Sequence, residues 1–195
     1  LQSLYEKRLV TYPRTDSRYL TDGMAATVPE LVSIAAKLLG TDAPTNVNAE
    51  QVCDSSRVTD HHAVVPTPSA TSTNLAALPE GEAAVLRLVC RQLLCAVSGP
   101  FTYAETTVEA ECACHTFRAR GKTIIDLGWR AYKGAPDWTP LPELTEGENI
   151  AITTSAVREG KTTPPAAFTE DTILSAMERA GAKETPADAV RRGLG

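Results

Sequence analysis

With 195 residues and 43% hydrophobic content, the chain is long enough for one large or two small domains around a real core. Its formal net charge of −5 gives no global positive field, which excludes nucleic-acid binding over the whole surface and leaves a local arginine cluster as the way to hold phosphates. No apolar run is long enough to span a bilayer and nothing at the N-terminus reads as a signal peptide, so neither a membrane nor a secretory role is expected.

The chain starts at Leu1 without a methionine and stops at Gly195 in mid-phrase, so it is expected to be an excised stretch of a longer protein. Leu1–Lys7 reads as the end of a helix, followed by a short extended piece and a turn at Pro13. Thr21 or Asp22 is placed to cap a helix running to Leu39, with Val28, Leu31, Val32, Ala35, Leu38 and Leu39 as its apolar stripe and Gly40 as its stop. Residues 41–81 are rich in Thr, Ser, Pro, Asn and Asp and predict a long loop with short elements, a kind of segment that often carries function.

From Glu82 to Val97 the apolar residues again recur at helical spacing, and Gly99-Pro100 ends the run. The period then becomes two. Thr106–Thr116 predicts one half-buried antiparallel strand, with Cys112 and Cys114 on its apolar side and His115 on the other. Gly121 is expected in a turn before a second strand near Thr123–Leu127, and "ENIAITTSAVREG" (148–160) predicts a third. A last helix opens after Thr169 with acidic residues in its first turn, and Gly181 is expected to close it.

Three groups of residues invite a chemical reading. Cys112, Cys114 and His115 are metal-ligand types, but the strand alternation divides them between two faces and no second Cys/His pair stands at zinc-like spacing, so no metal site is expected. The five cysteines read as reduced cytoplasmic thiols, with Cys90 and Cys95 inside an apolar helix. Asp60-His61-His62 can bind phosphate, bind a metal or decorate a loop; on one strand the two rings would point opposite ways.

The stretch "LVTYPRTDSRYL" (9–20) is the third group. A lone tyrosine beside a strand is usually a packing residue. Tyr12, however, is followed by Pro13, which stiffens a turn, and then by Arg14, Thr15, Asp16, Ser17 and Arg18. A phenol with its usual pKa of about 10 is a poor nucleophile and needs cations to stabilise the developing phenolate. Arg14 supplies a planar, permanently charged fork close by in sequence. Tyr5 and Tyr19 lack such neighbours in sequence and read as structural.

This stretch resembles the active-site signature of type IA DNA topoisomerases, especially the topoisomerase III branch. Further segments follow in the family's order: "DHHAVVPT" (60–67), "FRARGKTIIDLGWRAY" (117–132), "KTTPPAAFTEDTILSAMERAG" (161–181) and the closing "RRGLG" (191–195). The resemblance implies an α+β fold. Residues 1–97 would form the helical, tyrosine-bearing gate domain, residues 98–160 part of a β-rich antiparallel arch, and residues 161–195 the start of a helical DNA-binding domain. It further implies that Tyr12 attacks a phosphodiester of single-stranded DNA, forming a 5′-phosphotyrosyl bond that is later reversed without ATP. Arg14 would steady the scissile phosphate and His61 would support it. Thr15, Asp16, Ser17, Arg18 and, more loosely, His62 would support or contact the DNA, and Thr169 and Glu170 lie in a segment associated with the DNA-binding helices. Magnesium in the family is held by a Toprim domain N-terminal to this region, so no metal is expected here and this stretch by itself is expected to lack complete catalysis.

Two other readings compete. A rolling-circle relaxase also pairs a tyrosine with histidines, but its metal histidines are separated by one hydrophobic residue, whereas His61 and His62 are adjacent. A non-catalytic single-strand-binding module would stack bases on its tyrosine, yet 5% aromatic content leaves room for one site rather than a broad platform.

Overall fold

The computed structural model describes residues 1–180. They fall into two units, residues 1–144 and the segment from Thr145 onward, each described on its own terms. The first unit contains a short helix α1 (Gln2–Glu6), α2 (Val28–Leu39), α3 (Glu80–Val97) and a hairpin of β1 (Thr102–Cys112) and β2 (His115–Asp126). Residues 41–79 carry only three short 3-10 helices, as the composition of that stretch predicts.

The expected helix from Thr21 to Leu39 is divided: Asp22–Thr27 is a 3-10 helix and α2 begins at Val28. Pro29 explains the break. It has no N–H and its ring collides with the carbonyl four residues back, so it is accommodated only in the first turn of an α-helix. At the other end Gly40 adopts a left-handed conformation (φ 65°), and its N–H caps the helix. The buried stripe is broader than expected, because Ile34 and Ala36 join Val28, Leu31, Val32 and Ala35, while Leu38 and Leu39 are only half-buried.

Helix α3 starts two residues earlier than its apolar period suggests, after Pro79, with Glu80 and Glu82 in its first turn where the helix dipole favours them. It packs on α2 through a core that includes Leu86, Cys90 and Leu94, all fully buried. Burial pushes the Cys90 thiol up to about 12, so it is a packing group. Glu82 ties α1 to α3, accepting hydrogen bonds from Lys7 and the Ser3 hydroxyl.

The β region departs most from expectation. Thr106–Thr116 is not one strand: the chain reverses at Ala113 (φ 47°) and Cys114 (φ 64°), a two-residue left-handed turn that pairs Cys112 with His115. Both cysteines at this tip are exposed rather than on an apolar face. Nor are the strands half-buried; nearly every residue is exposed, and the ribbon is held by its ladder and by the Glu109–Arg118 and Glu105–Lys122 pairs. Gly121 is not in a turn but inside β2, opposite Thr106, where a Cβ would lie 2.6 Å from the Leu141 nitrogen. Among the described residues the sheet has two strands. The expected third, 148–160, has no regular secondary structure and is wholly exposed.

In the second unit α4 spans Glu170–Glu178. Thr169 caps it as expected, in a reciprocal capping box with Thr172. The expected stop at Gly181 and the "RRGLG" segment lie outside the described residues.

Candidate active site

The stretch from Thr11 to Leu20 has no helix or strand of its own, and it is fixed at both ends to the segment 52–67. At the entry, Val10 bridges Pro66; the Thr11 N–H donates to the Val65 carbonyl (3.0 Å), and the Val65 N–H to the Thr11 hydroxyl (3.0 Å). At the exit, Leu20 bridges Cys53, donating to Val52 (2.8 Å) and accepting from Asp54 (2.9 Å). Val10 and Leu20 are both core residues, so the hydrophobic effect anchors the two feet of the loop.

Between those feet the polar residues hold the loop's shape. The Thr15 hydroxyl donates to the His61 carbonyl (2.7 Å) and accepts from the Ser17 N–H (3.0 Å). The Ser17 hydroxyl donates to the Arg57 carbonyl (3.0 Å) and accepts from the Tyr19 N–H (3.1 Å). Asp16 accepts from the Thr59 hydroxyl (3.3 Å), and the Tyr19 carbonyl accepts from the Ala63 N–H (2.8 Å). Such side-chain-to-backbone bonds stand in for the ladder this segment lacks.

The outcome is a three-ring stack around Tyr12. The His61 ring lies 4.2 Å from it, centroid to centroid, tilted by 41°, and the Tyr5 ring meets it edge-on at 5.4 Å. Tyr12 is half-buried by these neighbours. Arg14 and Arg18 are exposed, and among the described residues neither forms an ion pair or side-chain hydrogen bond. His62 turns to its own chain: its Nδ1 lies 2.8 Å from the Ala63 carbonyl. A carbonyl only accepts, so that nitrogen carries the proton.

Of the residues singled out in the sequence, Tyr12, Thr15 and His61 therefore meet directly. Asp16 and Ser17 brace the loop, Arg14 and Arg18 remain available to an anion, and the His62 ring is engaged with the Ala63 carbonyl. Thr169 and Glu170 lie in the second unit, where Thr169 is occupied as the cap of α4. Tyr5 and Tyr19, read as structural from their sequence neighbours, each meet partners that those neighbours do not reveal. Tyr5 packs on Tyr12, and Arg57 donates to the Tyr19 hydroxyl (2.6 Å) while lying over its ring and pairing with Asp54. Hydrogen bonding from Ser56, then the nearby Arg57 charge, holds the Asp54 carboxyl below its usual range. No short-range signal marks these contacts, since Arg57 stands 38 residues from Tyr19.

Chemically, the arrangement offers a phenol with an imidazole against its ring, two unpaired guanidinium groups in the same loop, and a scaffold that fixes all of them. The described residues bring no three His, Cys, Asp or Glu side chains together, so they do not fit a resident metal ion.

A family model described as "DNA topoisomerase" matches residues 1–195. The chain is 35% identical over 200 residues to DNA topoisomerase 3 of Bacillus licheniformis and 36% identical over 199 residues to DNA topoisomerase 3 of Bacillus subtilis. Each alignment covers 93% of this chain and 27% of the relative, so the chain spans about a quarter of the length of these relatives.

Proposed function

The chain belongs to the DNA topoisomerase family, and from that premise we propose that it carries the DNA-cleaving tyrosine of a type IA enzyme, with Tyr12 as the nucleophile. The observation that best supports this reading is the contact of Tyr12 with His61, secured by a Thr15 hydroxyl that reaches a carbonyl 46 residues away. A tyrosine that only packs has no need of an imidazole against its ring and two exposed arginines in its own loop.

In the proposed reaction the Tyr12 hydroxyl oxygen attacks a phosphorus of single-stranded DNA. A Tyr–O–P bond to the 5′ side forms, the P–O3′ bond breaks, and the 3′-oxygen leaves as a hydroxyl after taking up a proton. The phenol gives up a proton as the 3′-oxygen gains one, and phosphorus exchanges its ester to O3′ for one to Tyr12; because it stays a diester throughout, the 3′-hydroxyl can reverse the step without ATP. Arg14 offers a cation to the nonbridging oxygens as charge builds on them. His61 holds the Tyr12 ring and sits where it can hydrogen-bond the phosphate. Arg18 and the braced backbone of residues 15–17 position the strand. No step is drawn through a metal; magnesium is assigned to other parts of a protein of the relatives' length. Cleavage, strand passage and resealing belong to that longer protein, acting on DNA in the cytoplasm. On this reading residues 1–97 are the gate domain, residues 98–160 contribute to the arch and residues 161–195 begin the helical DNA-binding domain.

The test is a covalent adduct. A polypeptide of the relatives' full length carrying this sequence at the matching stretch is mixed with labelled single-stranded DNA and magnesium, then denatured. A 5′-linked adduct is expected that Tyr12→Phe abolishes and Arg14→Ala strongly reduces. An adduct that persists in Tyr12→Phe removes Tyr12 from the role.

A further inference from the structure

Far along the chain from the tyrosine loop, at the root of the hairpin, lies a cavity of about 400 Å³ lined by Glu105, Arg120, Gly121, Lys122, Asp137 and Trp138, with Thr139 at its edge. Its aromatic wall belongs to a cluster. Trp138 meets the Tyr103 ring at 4.9 Å and the Phe101 ring at 5.5 Å, and Phe101 in turn meets Trp129 at 6.5 Å. These rings account for much of a chain that is only 5% aromatic. The Lys122 ammonium lies 4.8 Å from the Tyr103 centroid and 5.0 Å from that of Trp138, and it also pairs with Glu105 (3.1 Å). Arg120 is different: it is exposed, and among the described residues it has no ion pair.

We infer that this cavity binds one nucleotide of single-stranded DNA, an inference that rests on the DNA-acting reading above and adds a contact remote in sequence from Tyr12. A nucleobase needs a flat indole or phenol face, and Trp138, packed against Tyr103 and Phe101 with Lys122 over its ring, is an indole at the cavity with little conformational freedom to lose. The phosphate needs a cation, and Arg120 is the guanidinium at the cavity not already engaged. Glu105 and Asp137 would repel a phosphate placed beside them, but they suit the amino hydrogens of a base edge. The base therefore sits toward Trp138 and the backbone toward Arg120. A duplex does not fit this arrangement, because its bases are already stacked and paired.

The experiment uses the 195-residue chain and a short fluorescein-labelled single-stranded oligonucleotide of mixed sequence. Anisotropy should show binding that Trp138→Leu weakens about 5- to 100-fold, the range expected for loss of one stacked base. Arg120→Gln, an exposed change that spares the fold, should weaken binding and lower the salt dependence by about one phosphate contact. In Trp129→Phe, Trp138 is the remaining indole, and the oligonucleotide should quench its emission. No binding, or binding unchanged in both Trp138→Leu and Arg120→Gln, overturns the inference. Binding that depends on Arg14 but not on Trp138 overturns the cavity alone and leaves the tyrosine reading standing. Quenching and Trp138-dependent binding together with an adduct unaffected by Tyr12→Phe leave the cavity standing and remove the nucleophile.

Discussion

Thr15→Val replaces a hydroxyl by a methyl of nearly the same shape, so it removes hydrogen bonds while leaving volume almost unchanged. Two bonds go: the donor to the His61 carbonyl at 2.7 Å and the acceptor for the Ser17 N–H at 3.0 Å. Each such bond contributes about 0.5–1.5 kcal/mol net. Thr15 is half-buried, so water partly replaces both partners and the lower part of that range applies. The pair then accounts for about 1–2 kcal/mol of loop order, or about 5- to 30-fold in a rate that requires the ordered loop.

Global stability should fall by no more than this, about 1–2 kcal/mol, because the loop's feet at Val10 and Leu20 remain buried. The assay is adduct formation with single-stranded DNA in the longer protein, read beside a thermal melt and amide exchange at Ser17. Thr15→Val should slow adduct formation about 5- to 30-fold with a melting temperature lowered by at most about 8 °C and faster Ser17 exchange, and Thr15→Ser should restore most of the rate. A serine variant as slow as the valine variant, or a valine variant as fast as the parent, would show that the hydroxyl bridge does not hold the site together.

Leu86→Ala empties a fully buried position between α2 and α3 and should cost about 2–5 kcal/mol, read from a urea melt of the chain. Hydrogen bonds from Lys7, then Ser3, hold the Glu82 carboxyl below its ordinary range. Its contribution is therefore fully present above the unfolded value of about 4.3 and is lost as pH falls through the lower folded value, so Glu82→Gln should flatten the acid limb of stability against pH. A thiol reagent should label the exposed Cys112 and Cys114 rapidly and Cys90 only on unfolding; early labelling of Cys90 would contradict its place in the core.

The parts of the fold that could be read in the sequence are those whose signal is local. Helices α2 and α3 follow from apolar period, Gly40 and Gly99-Pro100, and α4 from the Thr169 cap. The hairpin was misread for an equally local reason. Left-handed two-residue turns are normally announced by Asn or Gly, and Ala113-Cys114 carries neither, while the nearby Gly121 has the residue type of a turn but serves as a gap for Leu141. The meeting of Tyr12 with His61 has no periodic signature, because the connecting segment is irregular throughout. Only the ordered resemblance of "LVTYPRTDSRYL" and "DHHAVVPT" to one family linked them. Tyr5 on Tyr12 and Arg57 on Tyr19 left no trace of any kind in the sequence.

On the proposed function, the same loop would let a chain with a net charge of −5 address a polyanion. Arg57, Arg118, Lys122 and Lys7 are each matched to a carboxylate, so their charges are locally cancelled. Around Tyr12 the pattern reverses: Asp16 is engaged by the Thr59 hydroxyl, and among the described residues no carboxylate pairs with Arg14 or Arg18. Arg14 and Arg18 thus give the loop that presents the phenol two exposed cations, partly offset by the Asp16 carboxylate, and their field acts over roughly a Debye length, about 8 Å at physiological salt. Because hydroxyl-to-carbonyl bonds already fix that loop without DNA, little ordering entropy remains to be spent when a phosphate arrives. On the proposed function, charge placement would select where the strand lands, and the bracing of Thr15 and Ser17 would set how closely phosphorus approaches the Tyr12 oxygen. Neutralising Arg14 should therefore weaken encounter in a salt-dependent way, whereas removing the Thr15 hydroxyl should slow the chemical step at any salt concentration.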